Sequence, residues 1–451
     1  MDPIKPPRRV LLSFLGTNNY EECVYYFNND RNQSYGVDRF VQNSIFKHLC
    51  KDWSAEDKYF VFLTEQAEPA NWNDDTNTDK LGLQQTLAVN QFKVVPTAIS
   101  AVPDGFNESQ IWQVFQRVFD ELKEGDQVWL DITHGFRSLP LLAAVLTNYA
   151  RFLKNIVIQK IYYGVFESLG PVYKIKENLP NPADRWVPVL DLTAFSQLQD
   201  WTSAANEFIN FGSADKLKSL ADTQAKLEIV SKGNKSDQAK DIKYLSSHLV
   251  SAVQHLGTNR GSAISEGNVF GNVKNTIQKL ANTDFIAPYK YLFTKINDKI
   301  ADFQPNQVLN FVPAVQFCLD HGLVQQGITQ LHEGIISYLL AQLGHEWKIN
   351  GTNRKELRKH RELLSSVLNY LNAEEEHQKA WKIELDNVPL FKLWKSNDLV
   401  KKFVKTYSAL TNFRNDINHG GYSENKDPDT FIKALAKHLD ATKSILKITT
   451  T

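Results

Sequence analysis

The chain has 451 residues, of which 42% are hydrophobic and 23% are charged, a composition that is ordinary for a globular protein and excludes a disordered chain. At roughly 100–200 residues per domain, this length predicts two or three domains. The 51 basic residues balance the 51 acidic ones, which argues against a basic surface throughout. The balance is a cancellation, because residues 1–200 hold 19 basic and 25 acidic residues, a net charge of −6, and residues 201–451 carry +6.

The three cysteines, Cys23, Cys50 and Cys318, have no close spacing, and they predict neither a disulfide framework nor a zinc site. Near the first residue, basic side chains precede a short apolar run. The polar residues 17–19 interrupt this run and no small-residue cleavage site follows, so it predicts a strand rather than a signal peptide. No apolar stretch approaches the roughly 20 residues of a transmembrane helix. These features predict a cytoplasmic protein with no membrane partner.

The first 195 residues alternate between strand-like and helix-like segments. Apolar or β-branched runs predict strands at 10–15, 59–63, 92–95, 128–132, 156–165 and 187–192. Strands that alternate with helices predict βαβ units in a mostly parallel, Rossmann-like sheet. Because the strands are apolar without interruption, we expect the sheet to be covered on both faces. The polar stretch 66–80 is typical of a loop.

Strand signals stop after about residue 195. Apolar periodicity predicts helices at 196–211, 215–232, 236–256, 285–302, 324–343, 354–371, 397–414 and 429–447, with a break at 257–275. The predicted fold class is therefore α/β followed by all-α. We expect three parts: an α/β ligand-sensing domain at 1–195, a helical connecting region at 196–305 and a helical domain at 306–451.

Two segments of the α/β half have the features of a ligand site. The first, SFLGTNNY at 13–20, follows the first strand, and the second, DITHGFRSLP at 131–140, joins a strand to a helix. Ligands of open parallel sheets bind beyond the carboxyl ends of the strands, and a helix N-terminus attracts phosphate. The polar donors there are Thr17, Asn18, Thr133, His134 and Arg137. The alternative is a pair of ordinary turns, in which Gly16 and Gly135 permit tight bends and His134 is a satisfied turn residue. Neither dinucleotide-binding nor P-loop fingerprints occur, which disfavours a nicotinamide enzyme and an NTPase.

A second candidate site lies in FRNDINHGG at 413–421, where the predicted helix 397–414 ends at a glycine pair. Arg414 and His419 are five residues apart, a rise of about 7.5 Å and a rotation of roughly 140° on a helix, so they do not share a face. A compact site therefore requires distortion at the helix end or a second copy of the motif from a partner subunit.

The chemistry of these residues suits RNA cleavage. His419 can act as general acid or base on the 2′-hydroxyl or the leaving 5′-oxygen, and Arg414 can stabilise the pentavalent phosphorane. Asn415 can orient Arg414 or the phosphate. This chemistry requires no metal or other cofactor, and the sequence offers no carboxylate cluster to hold one.

The Arg–His spacing alone decides nothing, because the short pattern R-x(4–6)-H is expected about once by chance in a chain of this composition. A second match, Arg354 with His360, lies in the basic stretch 353–361. That stretch predicts a solvated helix face, which can still contact RNA phosphates. The alternative for His419 is a cation that favours the dipole of a helix C-terminus.

The combination of motifs resembles the CARF–HEPN ribonucleases of type III CRISPR systems. DITHGFRSLP is the most specific segment, and IYYGVFE at 161–167 and LDLTAFSQLQDW at 190–201 also match. The resemblance covers essentially the full chain and implies an N-terminal Rossmann-like CARF domain and a C-terminal α-helical HEPN domain. Two segments match the ligand-binding loops of the family: Gly16, Thr17, Asn18 and Asn19, and Thr133, His134, Gly135, Phe136, Arg137 and Ser138.

The resemblance also implies a mechanism in antiviral defence. Such proteins form homodimers, or higher homo-oligomers, whose paired CARF domains bind a cyclic oligoadenylate as allosteric activator. Binding activates a composite HEPN site that cuts single-stranded RNA without metal and leaves a 2′,3′-cyclic phosphate. Arg414 and His419 match the catalytic pair, and Asn415 matches the polar residue that follows the arginine. Glu333 is expected to support the HEPN core or the arginine.

Two other functions stay open at this point. One is a cyclic-nucleotide sensor or regulatory binding module whose nuclease site is inactive. The other is a ring nuclease that acts only on the cyclic oligoadenylate, for which Thr17, Asn18 and His134 are the candidate residues. The intact pair of Arg414 and His419 favours the ribonuclease, since a pure sensor needs neither residue.

Overall fold

The computed structural model describes residues 6–75, 80–134, 139–232, 237–282, 289–375, 377–378, 388–422 and 426–448. Its contacts divide the chain into two units, Met1–Gln197 and Leu198–Thr451. The first unit contains a single eight-stranded sheet among its described residues. The strands are β1 Arg9–Leu15, β2 Cys23–Phe27, β3 Asp30–Asp38, β4 Lys58–Leu63, β5 Pro96–Ile99, β6 Gln127–Asp131, β7 Val157–Gly164 and β8 Trp186–Asp191.

The strand order is β3-β2-β8-β7-β6-β1-β4-β5. The run from β7 to β5 is parallel throughout, which confirms the prediction of Rossmann-like parallel strands. The sheet as a whole is mixed, because β8 lies antiparallel to β7 and β3 lies antiparallel to β2. From β1 the chain adds β4 and β5 on one side and later β6 and β7 on the other. The carboxyl ends of β1 and β6 therefore flank a switch point, where open sheets bind ligands.

The hairpin of β2 and β3 was not predicted from the sequence. Its two-residue turn is Asn28-Asn29, and both residues adopt positive φ angles near 54°, as hairpin turns that match strand twist require. β3 forms an edge of the sheet and is largely polar, so hydrophobicity gave no signal for it. The strand expected at 92–95 lies instead at Pro96–Ile99, an edge position that tolerates proline.

Helices cover both faces of the sheet, as the apolar strands predict. These helices are α1 Val41–Leu49, α2 Leu83–Ala88, α3 Glu108–Glu121, α4 Leu139–Lys154 and α5 Val172–Asn178. Alternate residues of β1 face opposite sides: Leu11 belongs to the core beneath α1 and α2, and Val10 and Leu12 belong to the core beneath α3 and α4. The strand thus anchors both layers and fixes the loop that follows it.

The described residues of the second unit form helices and no strand. After α6 Thr193–Phe211, which begins in the first unit, the helices are α7 Asp215–Lys232, α8 Asp237–Gly257, α9 Gly261–Glu266, α10 Asn268–Leu280, α11 Lys290–Lys299, α12 Phe311–Asp320, α13 Val324–Gln342, α14 Arg354–Asn372, α15 Pro389–Ser396, α16 Asp398–Asn418 and α17 Pro428–Leu446. The predicted helical second half is confirmed. The expected break at 257–275 is wrong, because α9 and α10 occupy most of it.

Two hydrophobic cores organise this unit. One is built mainly by α6 to α11 around Phe208, Leu245 and Phe270, and the other by α12 to α17 around Leu331 and Phe403. α12 contributes residues to both cores, so the two cores share one helix. Within the described ranges, no helix combines the length and the apolar character that a membrane span requires.

Candidate functional site

A cavity of about 330 Å³ opens at the carboxyl ends of β1, β4 and β6. Five of the predicted ligand residues line it together: Gly16, Thr17, Asn18, Thr133 and His134. Asn19 lines a neighbouring cavity of about 360 Å³, into which His134 also projects. The remaining predicted residues, Gly135, Phe136, Arg137 and Ser138, lie outside the described part of the chain. The two sequence motifs therefore meet at one site beside the switch point of the sheet.

Asn71, which the sequence gave no reason to select, holds the first loop in place. Its amide Nδ2 donates to the carbonyl oxygens of Gly16 and Asn18, both at 2.9 Å. Its Oδ1 accepts a hydrogen bond of 3.0 Å from Nη2 of Arg39. Because Asn71 is only 1% exposed, these contacts are shielded from water and fix the loop's carbonyl groups. Among the described residues, the backbone N–H groups of Thr17 and Asn18 donate no hydrogen bond, so they remain available for a ligand.

His134 is partly buried against Tyr20, whose ring centroid lies 4.3 Å from that of the imidazole. Burial lowers the pKa of His134 to about 4, so the ring is neutral near pH 7. Its Nε2 is buried and has no hydrogen-bond partner among the described residues. Tyr20 in turn accepts a hydrogen bond of 2.9 Å from the backbone N–H of Gly16. The histidine therefore presents an unused polar atom at the cavity.

Asp131 ends β6 directly below the second loop and is fully buried. Its Oδ1 accepts the backbone N–H of Thr133 at 2.9 Å, and the hydroxyl of Thr133 accepts the N–H of Gly164 at 2.8 Å. Burial raises the pKa of Asp131 to about 6, although the hydrogen bonds from Thr133 oppose the rise. These contacts orient the start of the loop toward the cavity.

The described lining of the cavity contains no lysine or arginine. An anionic ligand held there depends on oriented backbone N–H groups, hydroxyls and amides, as in anion-binding nests and helix N-termini. Thr17, Asn18 and Thr133 supply such groups. This arrangement agrees with the net negative charge of the first 200 residues.

In the helical unit, Arg414 on α16 faces Glu333 on α13. Nη1 of Arg414 lies 3.1 Å from Oε1 of Glu333, and Arg361 on α14 binds Oε2 of the same carboxylate at 2.6 Å. Arg361 also donates to the hydroxyl of Ser337 at 2.8 Å. Burial alone would raise the pKa of Glu333, but the contacts with His332 and Arg361 lower it to about 2. The carboxylate is therefore ionised and orients two guanidinium groups.

His332 lies beneath this pair and is only 4% exposed. Its Nδ1 is 3.1 Å from Nη1 of Arg414, and its Nε2 is 3.1 Å from the hydroxyl oxygen of Thr411. The Thr411 hydroxyl donates to the carbonyl of Tyr407 at 3.0 Å. Nδ1 of His332 also lies 3.2 Å from Oε1 of Glu333, so the imidazole, the carboxylate and the guanidinium are in mutual contact. The guanidinium is thus held by two residues of α13.

His419 forms the C-cap of α16 and is exposed. A Schellman motif ends the helix: Gly420 N–H donates to the carbonyl of Ile417 at 3.0 Å, and Gly421 N–H donates to that of Asp416 at 3.2 Å. Gly420 has a φ of 67°, a left-handed conformation that glycine adopts easily because it has no Cβ. Among the described residues, nothing hydrogen-bonds to the imidazole, so it remains accessible.

Asn415 is also exposed on α16, and its side chain makes no hydrogen bond to another described residue. The second Arg–His match has different surroundings. His360 packs on His345, with ring centroids 4.5 Å apart, and on Trp394 at 6.0 Å, whereas Arg354 is exposed at the start of α14. His360 is therefore a packing residue. In the described ranges, no group of three or more His, Cys, Asp or Glu residues is arranged to hold a metal ion.

With this geometry in view, comparison with known proteins assigns the class of the first unit. Residues 10–167 match the family described as "CRISPR system endoribonuclease Csx1, CARF domain", so the first unit contains a CARF domain. The chain is also similar to a CRISPR-associated protein of Methanocaldococcus jannaschii, with 28% identity over 161 residues. This match covers 34% of the present chain and 23% of the relative, which is much longer than the matched segment.

Proposed function

We propose that this protein is a metal-independent endoribonuclease that cuts single-stranded RNA in type III CRISPR antiviral defence, and that a cyclic oligoadenylate activates it. The observation that carries the proposal is the pairing of Arg414 with Glu333 and His332 at the end of a helix that terminates in an exposed His419. The CARF domain of the same chain supports the activator. The helical second unit is proposed to be the HEPN-like part.

The proposed reaction is a transesterification within the RNA. The 2′-oxygen attacks the adjacent phosphorus, a 2′-O–P bond forms and the bond from phosphorus to the 5′-oxygen breaks. One base takes the 2′-hydroxyl proton and one acid donates a proton to the leaving 5′-oxygen, which yields a 2′,3′-cyclic phosphate and a 5′-hydroxyl. His419 supplies proton transfer, and Arg414 stabilises the extra negative charge on the phosphorane.

A second copy of the chain completes the site in this proposal. Helical geometry turns Arg414 and His419 about 140° apart, so one chain does not direct both at one phosphate. When two such helix ends meet across a two-fold axis, each chain contributes one arginine and one histidine to a shared site. Asn415, exposed next to Arg414, is proposed to contact the phosphate or the partner's motif.

α4 offers the surface for such a dimer. Its outward face carries large apolar side chains at helical spacing: Leu141, Val145, Tyr149, Phe152 and Leu153, which are 47–84% exposed. Exposed apolar stripes of this kind mark protein interfaces. Because α4 follows the second ligand loop directly in sequence, pairing along it would bring two activator cavities near one axis. A cyclic, two-fold symmetric oligonucleotide fits that arrangement.

The test is a cleavage assay on fluorescent single-stranded RNA in EDTA, with cyclic tri-, tetra- and hexa-adenylate added separately. We expect at least one activator to start cleavage. His419→Ala should abolish it and leave activator binding unchanged, while His377→Ala, at an exposed histidine of the same unit, should have no effect. Cleavage that persists in His419→Ala would refute the assigned site, and no cleavage with any activator would refute the proposed function.

The partly buried, neutral His134 favours a second candidate, slow cleavage of the activator by the CARF domain. Its unpartnered Nε2 lies at the same cavity as Thr17 and Asn18. A neutral imidazole can accept a proton from a 2′-hydroxyl of the bound ring. Wild-type protein incubated with the activator should then accumulate linear oligoadenylates, and His134→Ala should not. An intact ring after prolonged incubation with wild type would exclude this activity.

A further inference from the structure

A cavity of about 260 Å³ lies among α9, α13 and α14 of the helical unit. Glu333 and Arg361 both line it. Glu333 is the carboxylate that binds Arg414 at 3.1 Å, so this cavity begins one side chain away from the proposed catalytic arginine. None of the proposed chemistry uses it.

Part of the cavity wall is apolar and includes aromatic rings. Phe311, Leu357 and the partly exposed Trp347 line it. Gly334 on α13 allows Phe311 to approach, because a Cβ at this position would lie 2.3 Å from Cγ of Phe311. Aromatic rings in such a position are platforms on which an unstacked nucleobase can pack.

Two amide side chains in the cavity have unused hydrogen-bonding groups. Gln330 on α13 is only 4% exposed, and its amide makes no hydrogen bond to any described residue. Oδ1 of Asn259 is buried without a partner within the same described ranges. Buried polar groups in folded proteins are normally paired, so the unpaired buried oxygen of Asn259, beside the unbonded amide of Gln330, points to a ligand that pairs with them. An amide offers one donor and one acceptor side by side, which complements the edge of a nucleobase.

Cationic side chains also lie at the cavity. Arg361 and Lys348 line the cavity, and Arg354 lies about one helical turn before Leu357, exposed on α14. The stretch 353–361 carries a net charge of +4. A strand of RNA that passes Arg414 and continues over α14 would keep its phosphates on these cations while a base enters the cavity.

We propose that this cavity binds one unpaired nucleobase of the RNA strand, adjacent to the scissile linkage, and that Gln330 reads the edge of that base. The inference rests on the proposed ribonuclease function and adds to it a base preference. Sequence-specific recognition of RNA uses unstacked bases in this way, with stacking on aromatic rings and hydrogen bonds to base edges. Gln330 is then a specificity residue, separate from the residues that transfer protons.

The test measures discrimination on chimeric oligonucleotides. Each contains a single ribonucleotide linkage in a 2′-deoxy strand, with the four bases varied in turn on either side of that linkage. For wild type, kcat/KM should favour one base by roughly 5- to 100-fold at one of the two positions. Gln330→Met, which conserves side-chain volume, should reduce this ratio to below about threefold. Gln342→Met, an exposed position on the same helix, should retain the wild-type ratio.

A binding measurement separates failure of the cavity from failure of the nuclease. Fluorescence anisotropy of His419→Ala with 2′-O-methyl RNA, which lacks the nucleophile, reports base preference without cleavage. If wild type cleaves nothing but binding favours one base and loses that preference in Gln330→Met, the cavity is a base site in a protein that is not a nuclease. Equal binding and equal cleavage of all four bases, or discrimination that survives Gln330→Met, would overturn the proposal and leave a water-filled cavity.

Discussion

Arg414 and Glu333 are joined by a 3.1 Å contact between Nη1 and Oε1, although 81 residues separate them in sequence. The same carboxylate binds Arg361 at 2.6 Å, so it bridges two guanidinium groups from two other helices. With a pKa of about 2, Glu333 stays ionised throughout the pH range in which proteins usually work. The contacts with Glu333 and His332 therefore hold the direction of the Arg414 side chain.

Glu333→Gln should slow RNA cleavage by lowering kcat about 10- to 100-fold, because a misdirected arginine stabilises the phosphorane poorly. KM should change less than about threefold, since Arg414 keeps its charge. Glu333 acts here as a positioning residue, so the split between kcat and KM distinguishes it from a residue needed only for folding. Steady-state kinetics with a saturating activator provide both constants.

The matched control is Glu346→Gln, an exposed glutamate of the same unit. Its kcat and KM should equal those of wild type. If Glu333→Gln instead raises KM and leaves kcat intact, the carboxylate does not orient Arg414 for the chemical step.

Asn71→Ala should weaken binding of the proposed activator by 10-fold or more and leave the fold of the helical unit unaffected. The substitution removes two donors to the loop carbonyls of Gly16 and Asn18, each a buried group whose loss costs roughly 1–3 kcal/mol. The loop then loses the conformation that directs its N–H groups at the ligand. Isothermal titration with the activator measures the change.

Asn73→Ala, two residues further along and exposed, is the control and should bind as wild type does. An Asn71→Ala protein with unchanged activator affinity would show that the loop keeps its conformation without the hydrogen bonds from Asn71.

The contrast between Asn71 and the predicted ligand residues shows what the sequence can reveal. Thr17 and His134 were found because each follows an apolar strand, and parallel strands end at a common edge. Asn71 lies in a polar stretch with no periodicity, and the two carbonyl groups that it binds are more than 50 residues away, so only tertiary packing selects it. The sequence did not predict the edge strand β3 for a related reason. Its residues are largely polar, and it is a strand only because it pairs with β2.

If α4 forms the proposed dimer interface, Val145→Glu should favour the monomer and reduce activator-dependent cleavage by at least about 10-fold. Val145 is 48% exposed in the middle of the apolar stripe, and a buried, unpaired carboxylate in a subunit interface is strongly unfavourable. The measurement is analytical ultracentrifugation together with the RNA cleavage assay.

Val95→Glu is the corresponding change at an exposed valine outside α4 and should leave both the mass and the activity unchanged. A Val145→Glu variant that stays dimeric would place the interface on another surface. A monomer that retains full activity would contradict the composite site itself.

Asp131→Asn should stabilise the protein at neutral pH and remove one part of its pH dependence. Burial raises the pKa of Asp131 to about 6 in the folded chain, against an ordinary 3.8. Between these values the folded state holds more protons than the unfolded state, so the stability contributed by this residue falls as pH rises from about 4 to about 6. The difference between the two pKa values corresponds to about 3 kcal/mol in the free energy of unfolding.

The asparagine keeps an acceptor for the N–H of Thr133 and carries no charge, so it avoids this cost. By circular dichroism, the thermal midpoint of Asp131→Asn should exceed that of wild type by roughly 5 °C or more at pH 7.5, and the two should converge near pH 4. Asp52→Asn, at an exposed aspartate, should follow wild type at every pH. A variant that is less stable than wild type at pH 7.5 would mean that the ionised carboxylate has a compensating partner, and the raised pKa would then be wrong.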